Sequence, residues 1–258
     1  MAQLVIDLRK SVRLRGLDIR IEPFLKHRRV FQLEYVKDFD CDGALVPLGS
    51  AFADGFRMLL RKDSASTRTR FTTAHELCHT FFYQHVPEIK FSNHEVDPAE
   101  ERLCDVGAAE LLMPSHALKK QARATGTSLE ALSKLATLFD VSLEAMLLRL
   151  RSIAGWRSEL STWHLMTGGG FALRRLVGGR KVDWRWSEPK LLRNAWDTGR
   201  LLCGHTYLEC LDRHGSLKVR AVFYELKRRK DALLALWSHY STRRIYPNLP
   251  LFELPRNH

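Results

Sequence analysis

The chain has 258 residues, 45% of them hydrophobic and 27% charged, enough to bury a substantial core in two or three units. No run of 18 or more apolar residues is present and the first twenty residues lack a signal-peptide core, so neither a membrane span nor export is expected. Five widely spaced cysteines without a CxxC pair suit a reducing cytoplasm better than a disulfide framework.

In chain order, Phe56–Arg61 reads as a short strand, and Lys62–Arg70 as a polar loop. Thr72 or Thr73 is then available to cap a helix whose apolar side is Phe71, Ala74, Leu77, Cys78 and Phe81. That helix carries His75-Glu76-Leu77-Cys78-His79, an HExxH motif. Histidines at i and i+4 lie one turn apart on one face, so both imidazoles can reach a single ion. Glu76 adjoins the first of them and can move a proton for an attacking water. This is the arrangement of zinc peptidases.

A catalytic zinc site needs three protein ligands and an open position. The cluster Asp97-Pro98-Ala99-Glu100-Glu101 opens a second helix that ends at Pro114. Glu101 is the expected third ligand. Asp105, four residues on and on the same face, is placed to orient a ligand imidazole through its free N–H. Glu100 lies about 100° around the helix and has Cys104 rather than an acid four residues on, so its replacement is expected to leave the metal in place. Cys104, three residues from Glu101, either fills a small apolar contact or turns its thiol to the zinc as a reversible plug. Tyr83, His85, His94 and Arg70 are the nearby candidates for steadying an oxyanion, and the motif selects none of them. The Phe56–Arg61 strand is the expected edge onto which an extended substrate adds.

These residues carry a resemblance. Arg68-x-Arg70-Phe71-Thr72-x-Ala74-His75-Glu76-Leu77-x-His79, followed by Glu101-x-x-Cys104-Asp105-x-x-Ala108-Ala109-x-Leu111-Leu112-Met113-Pro114, is similar to the ImmA/IrrE family of metallo-endopeptidases. The likeness spans roughly Phe56 to Ile153 and implies a gluzincin-like fold with one Zn2+. It also implies cleavage of a helix-turn-helix transcriptional repressor, with release of a stress, phage or anti-phage defence operon. Cys78 stands where Gly is frequent, and Asp105 and Gly107 where Asn and Phe are frequent, so packing beneath the second helix is expected to differ.

Thr127 and Glu130 fit a capping box before Leu129, Leu132, Leu135, Ala136 and Phe139 at helical spacing. A turn at Asp140-Val141 leads to Ser142 as the next cap and then Leu143, Met146, Leu147 and Leu150. The outline is helix-turn-helix. Its second helix offers only Arg149 and Arg151 near its end, so a packing bridge is favoured over DNA reading.

Composition shifts near Gly155. Residues 1–150 hold 21 Lys and Arg against 20 Asp and Glu, whereas residues 151–258 hold 20 against 9 and all six tryptophans. Leu201–Leu211 and Leu217–Leu226 read as a hairpin around Asp212-Arg213-His214-Gly215, and Asp231–Tyr240 as an amphipathic helix. Arg174, Arg175, Arg180, Lys181 and Arg185, interleaved with Trp184 and Trp186, suit a groove for single-stranded DNA, although tryptophans more commonly fill a core.

The expected fold class is therefore α+β. A gluzincin-like zinc peptidase domain (1–118) is followed by a helix-turn-helix-like helical linker (119–154). A basic, Trp-rich C-terminal sensor domain (155–258), small, α+β and GAF-like by analogy, completes it. The expected protein is a cytoplasmic zinc endopeptidase with a repressor as substrate and single-stranded DNA as activator. The competing reading is a DNA-binding regulator whose zinc site is structural or vestigial.

Overall fold

The computed structural model describes residues 1–13, 20–84, 97–179, 189–211 and 217–239. The chain divides into two compact units, Met1–Ala154 and Gly155–His258. Both mix helices and sheet, so the class is α+β.

In the first unit, α1 (Ala2–Ser11) and α2 (Glu22–His27) precede a three-stranded sheet of β1 (Val30–Val36), β2 (Gly43–Pro47) and β3 (Phe56–Arg61). The order is β1-β3-β2, with β1 parallel and β2 antiparallel to β3. Phe56, Met58 and Leu60 alternate along β3 and are fully buried, as a one-sided strand requires. Since β3 is the middle strand, both of its backbone edges are already hydrogen-bonded, and it cannot be the edge that a substrate joins. The edges of this sheet are β1 and β2.

Helix α3 (Ser66–Tyr83) packs on β2 and β3, and α4 (Pro98–Leu112) packs on α3 and α1. α3 begins six residues before Thr72, with Ala65 at its cap, so the polar loop is shorter than expected. Neither Thr72 nor Thr73 is a cap. Thr73 Oγ1 instead bonds back to the Thr69 carbonyl at 2.8 Å, an accommodation that lets Thr sit inside a helix. α4 starts as its sequence suggests, with the Asp97 carboxylate accepting from the Ala99 N–H at 2.8 Å and Pro98 at the first helical position.

Helices α5 (Ser115–Thr125), α6 (Leu129–Leu138) and α7 (Leu143–Ala154) close the unit as a three-helix group. The α6 cap is Ser128, whose Oγ accepts from Ala131 N–H at 2.9 Å, one residue later than the Thr127 expectation. Glu130 pairs with Lys134 at 2.7 Å rather than completing a capping box. Between α6 and α7 the chain turns through Asp140 in the left-handed region (φ 50°), and Ser142 Oγ caps α7 by accepting from Ala145 N–H. Arg149 does not face outward. It is buried against Glu110 of α4 and the Met113 carbonyl, so one of the two cations that α7 offered to a nucleic acid holds the unit together instead.

The second unit is a five-stranded antiparallel sheet, order β5-β4-β8-β7-β6, with α8 (Pro189–Thr198) against β7 and β8. Its strands are β4 (Ser158–Leu165), β5 (Phe171–Val177), β6 (Leu202–Leu211), β7 (Leu217–Arg229) and β8 (Ala232–His239). The β6–β7 hairpin pairs Leu211 with Leu217 as the sequence suggests, and its turn residues lie outside the described ones. The segment expected as a helix from Asp231 is instead β8. Flanked by β4 and β7, it buries Leu233, Ala235 and Trp237 toward α8 and Leu236 on the opposite face. A central strand that is apolar on both faces loses the period-two signal and so mimics an apolar helix.

The described tryptophans build the core. Trp163 and Trp237 are buried and both donate their indole N–H to Ser161 Oγ, at 2.9 and 2.7 Å. Trp196 packs against that core, under the Arg228 guanidinium and edge-on to Phe171. Trp184 and Trp186 lie outside the described residues, as do Arg180, Lys181 and Arg185.

Candidate active site

His75 and His79 lie on the face of α3 turned to α4, and their Nε2 atoms stand 3.2 Å apart. Glu101, at the start of α4, places Oε2 at 3.1 Å from His75 Nε2 and Oε1 at 3.3 Å from His79 Nε2. Two further carboxylates hold the far sides of the rings. Asp105 Oδ1 is 3.0 Å from His75 Nδ1, and Glu100 Oε1 is 2.7 Å from His79 Nδ1. With each Nδ1 hydrogen donated to a carboxylate, each Nε2 turns a lone pair inward, toward the other and toward Glu101.

Three electron-pair donors facing one point without a proton between them repel unless a cation sits there. Ligands about 2.0–2.1 Å from a tetrahedral zinc stand about 3.4 Å apart, close to the separations found. The donor set therefore fits a zinc ion.

Cys104 is a second candidate donor on α4. Its thiol lies within 4.8 Å of the ligand nitrogens of both histidines and is fully buried. Burial, helped by Cys78 and by the carboxylates of Glu100, Glu101 and Glu76, pushes this thiol well up. Glu101 places one oxygen against each imidazole, at 3.1 and 3.3 Å.

Glu76 is 8% exposed. Burial raises its carboxyl above the ordinary range, His79 and His75 pull it back down, and Glu101 adds a smaller upward push. The backbone N–H of Leu45, on edge strand β2, also bonds to it and favours the anion. β2 approaches closely here, since a Cβ on Gly43 would meet Thr72 Cγ2 at 2.5 Å and the Glu76 side chain at 3.0 Å. Glycine at 43 thus lets the edge strand lie directly over the Glu76 carboxylate.

Of the four oxyanion candidates, His85 and His94 lie outside the described residues. Arg70 faces Asp140 at 3.6 Å. Tyr83 stacks on Phe56, and its hydroxyl is raised by burial and by the nearby Glu100 and Glu76, so it shares the field of the site.

The departures at Cys78 and Gly107 complement each other. A Cβ at Gly107 would lie 2.5 Å from Cys78 Sγ and 2.7 Å from Met1 Cγ, so the Cys78 thiol and the Met1 side chain fill the space that a larger residue there would need. Cys78 is buried in this contact.

Glu100 is the residue that sequence reasoning missed. Its rotation around α4 correctly separates it from Glu101, but His79 presents two nitrogens, and the second needs a partner on that other side. The unmet Nδ1 of the second histidine was the available signal.

Residues 36–151 match the peptidase family described as the IrrE N-terminal-like domain. That segment belongs to the family. Membership makes it a metallopeptidase-type domain and implies a metal in such a domain, typically zinc. None of the curated proteins matches the chain. A solved structure, the Mycobacterium tuberculosis transcriptional regulator, is similar over 92% of this chain and 75% of its own, at 14% identity and a TM-score of 0.48. No helix among the described residues is long and apolar enough to cross a membrane.

Proposed function

We propose that the chain is a zinc-dependent endopeptidase that cleaves a partner helix-turn-helix repressor and so derepresses a stress, phage or defence operon. The observation that carries this reading is the convergence of His75, His79 and Glu101 beside the buried Glu76. A structural metal site has no use for a carboxylate of that kind. Zinc, when bound there, supplies Lewis-acid polarisation of the scissile carbonyl. Glu76 takes the proton of the attacking water and passes it to the leaving amine, and its raised proton affinity suits both transfers. Asp105 and Glu100 hold the imidazoles so that both Nε2 atoms stay aimed at one point.

Substrate enters as an added strand on β2, the edge whose Leu45 N–H already touches Glu76. This places the backbone of an extended peptide alongside the carboxylate that serves it.

The second unit is read as a GAF-like sensor, supported by its single antiparallel sheet with a helical layer. Single-stranded DNA is its proposed signal, supported by the charge excess of residues 151–258 and by exposed Arg174 and Arg175 on β5.

The test is cleavage of the repressor encoded beside this gene by the purified chain with zinc and single-stranded DNA. Cleavage by the wild type and its loss in Glu76→Gln at unchanged zinc content is the expected result. Equal cleavage by both proteins, or none by either, overturns the reading.

A further inference from the structure

Helix α5 carries a charged face that the peptidase reading does not use. Leu118 and Ala122 pin one side of it into the three-helix group, while His116, Lys119, Lys120 and Arg123 are exposed on the other. Positions i, i+3, i+4 and i+7 share one helical face, so the four side chains form a single stripe. No acidic residue occurs from Ser115 to Ser128. The flanking acids are committed, Glu110 to buried Arg149 and Glu130 to Lys134. Among the described residues, none of the four has a hydrogen-bond or ion-pair partner. With Ala124 they line a concavity of about 590 Å³.

We propose that this face of α5 binds the phosphate backbone of duplex DNA without reading its sequence. Charge decides the sign of the partner, since at least three fixed cations stand together with no anion among them. The lack of apolar neighbours decides against an acidic protein, whose stable docking would need an aromatic or aliphatic core that Ala124 alone cannot supply. The scarcity of rings decides against a single strand, because the His116 imidazole is the one ring of the stripe and successive bases would have no further platform. From His116 to Arg123 the stripe runs about 10 Å along the helix, the rise of about three base pairs on a duplex. Sequence reading is not expected. The helix that would enter a groove, α7, has Arg149 buried and Glu144 near its start.

The experiment is salt-dependent binding of the full chain to an arbitrary 30-base-pair duplex and to an oligo-thymidine strand. It compares the wild type with Lys119→Ala/Lys120→Ala/Arg123→Ala. Alanine on an exposed helix face keeps the helix, and circular dichroism with zinc content checks that the variant is folded. The slope of log Kobs against log salt on duplex should become shallower by about 2.7, from three lost phosphate contacts at about 0.9 each. On the single strand it should change little. An unchanged duplex slope overturns the proposal. A loss confined to the single strand also overturns it. So does unchanged duplex binding with weakened repressor cleavage, which would assign the stripe to an acidic protein. Neither zinc nor cleavage enters the duplex measurement, so this proposal and the peptidase reading fail separately.

Discussion

The two units handle charge in opposite ways. In Met1–Ala154 the ionisable groups around α3, α4 and α7 are committed to one another: His75 to Asp105, His79 to Glu100, Arg149 to Glu110. In Gly155–His258 the aromatic side chains form the core, and cations such as Arg174 and Arg175 face solvent. A network of mutual partners can aim lone pairs and hold a metal, but it is fragile to the loss of any member. A field of exposed cations aims nothing, yet it attracts any polyanion and tolerates single losses. Substitutions in the first unit should therefore act sharply and individually, and those in the second weakly and in sum.

The largest effect is expected at the imidazoles. His75→Ala or His79→Ala should leave the purified protein with essentially no zinc by atomic absorption, against about one equivalent in the wild type, because two remaining donors do not make a tetrahedral site. Retention of a full equivalent in both variants would place the metal elsewhere.

Next comes the buried ion pair. Arg149→Ala leaves Glu110 charged, buried and still bonded to Ser115, a change that typically costs about 3–5 kcal/mol. Denaturant unfolding should show that loss, and Arg149→Met with Glu110→Leu should recover much of it. A cost below about 1 kcal/mol for Arg149→Ala would mean that the pair is solvated and that the three-helix group is tied to α4 by apolar contact alone.

Glu100 gives the sharpest revision. Its bond to His79 Nδ1 means that Glu100→Ala should lower zinc affinity by about 10–100-fold, where the sequence alone suggested no effect. Glu100→Gln, which still accepts the Nδ1 hydrogen, should recover part of it. Competition with a chromophoric chelator measures both. Glu101→Ala should weaken binding more than Glu100→Ala, and the reverse order would exchange their roles.

What was legible in the sequence follows from the same contrast. The HExxH spacing and the Asp97 cap are local, since they depend on one helix and its own backbone, and each can be read from a few residues. The Glu100–His79 and Arg149–Glu110 bonds join elements whose mutual placement no local spacing states. β3 was misjudged as an edge because pairing on both sides is a property of the sheet, not of Phe56–Arg61. β8 was misjudged as a helix because central burial removes the alternation that marks a strand. Five cysteines gave no disulfide signal, and Cys41, Cys78, Cys104 and Cys203 are free.

The smallest single effect is expected on β5. Arg174 and Arg175 are adjacent and exposed, Arg175 pairs with Thr162 of β4, and the register shifts here, so strict alternation does not separate the two side chains. His164, which Arg174 reaches, shares a face of β4 with Thr162, so one face can use both. Arg174 is also bonded to His164 Nε2 at 3.2 Å, which holds it on the strand. If single-stranded DNA binds the second unit through diffuse charge, Arg174→Glu and Arg175→Glu should weaken it by similar, modest factors and each reduce the salt slope by about 0.7. If it binds through a contact at one side chain, only one of them should matter. Fluorescence anisotropy on labelled oligo-thymidine in a salt series separates the two. Affinity unchanged in both variants would remove β5 from the interface and leave the charge excess of this unit to other residues.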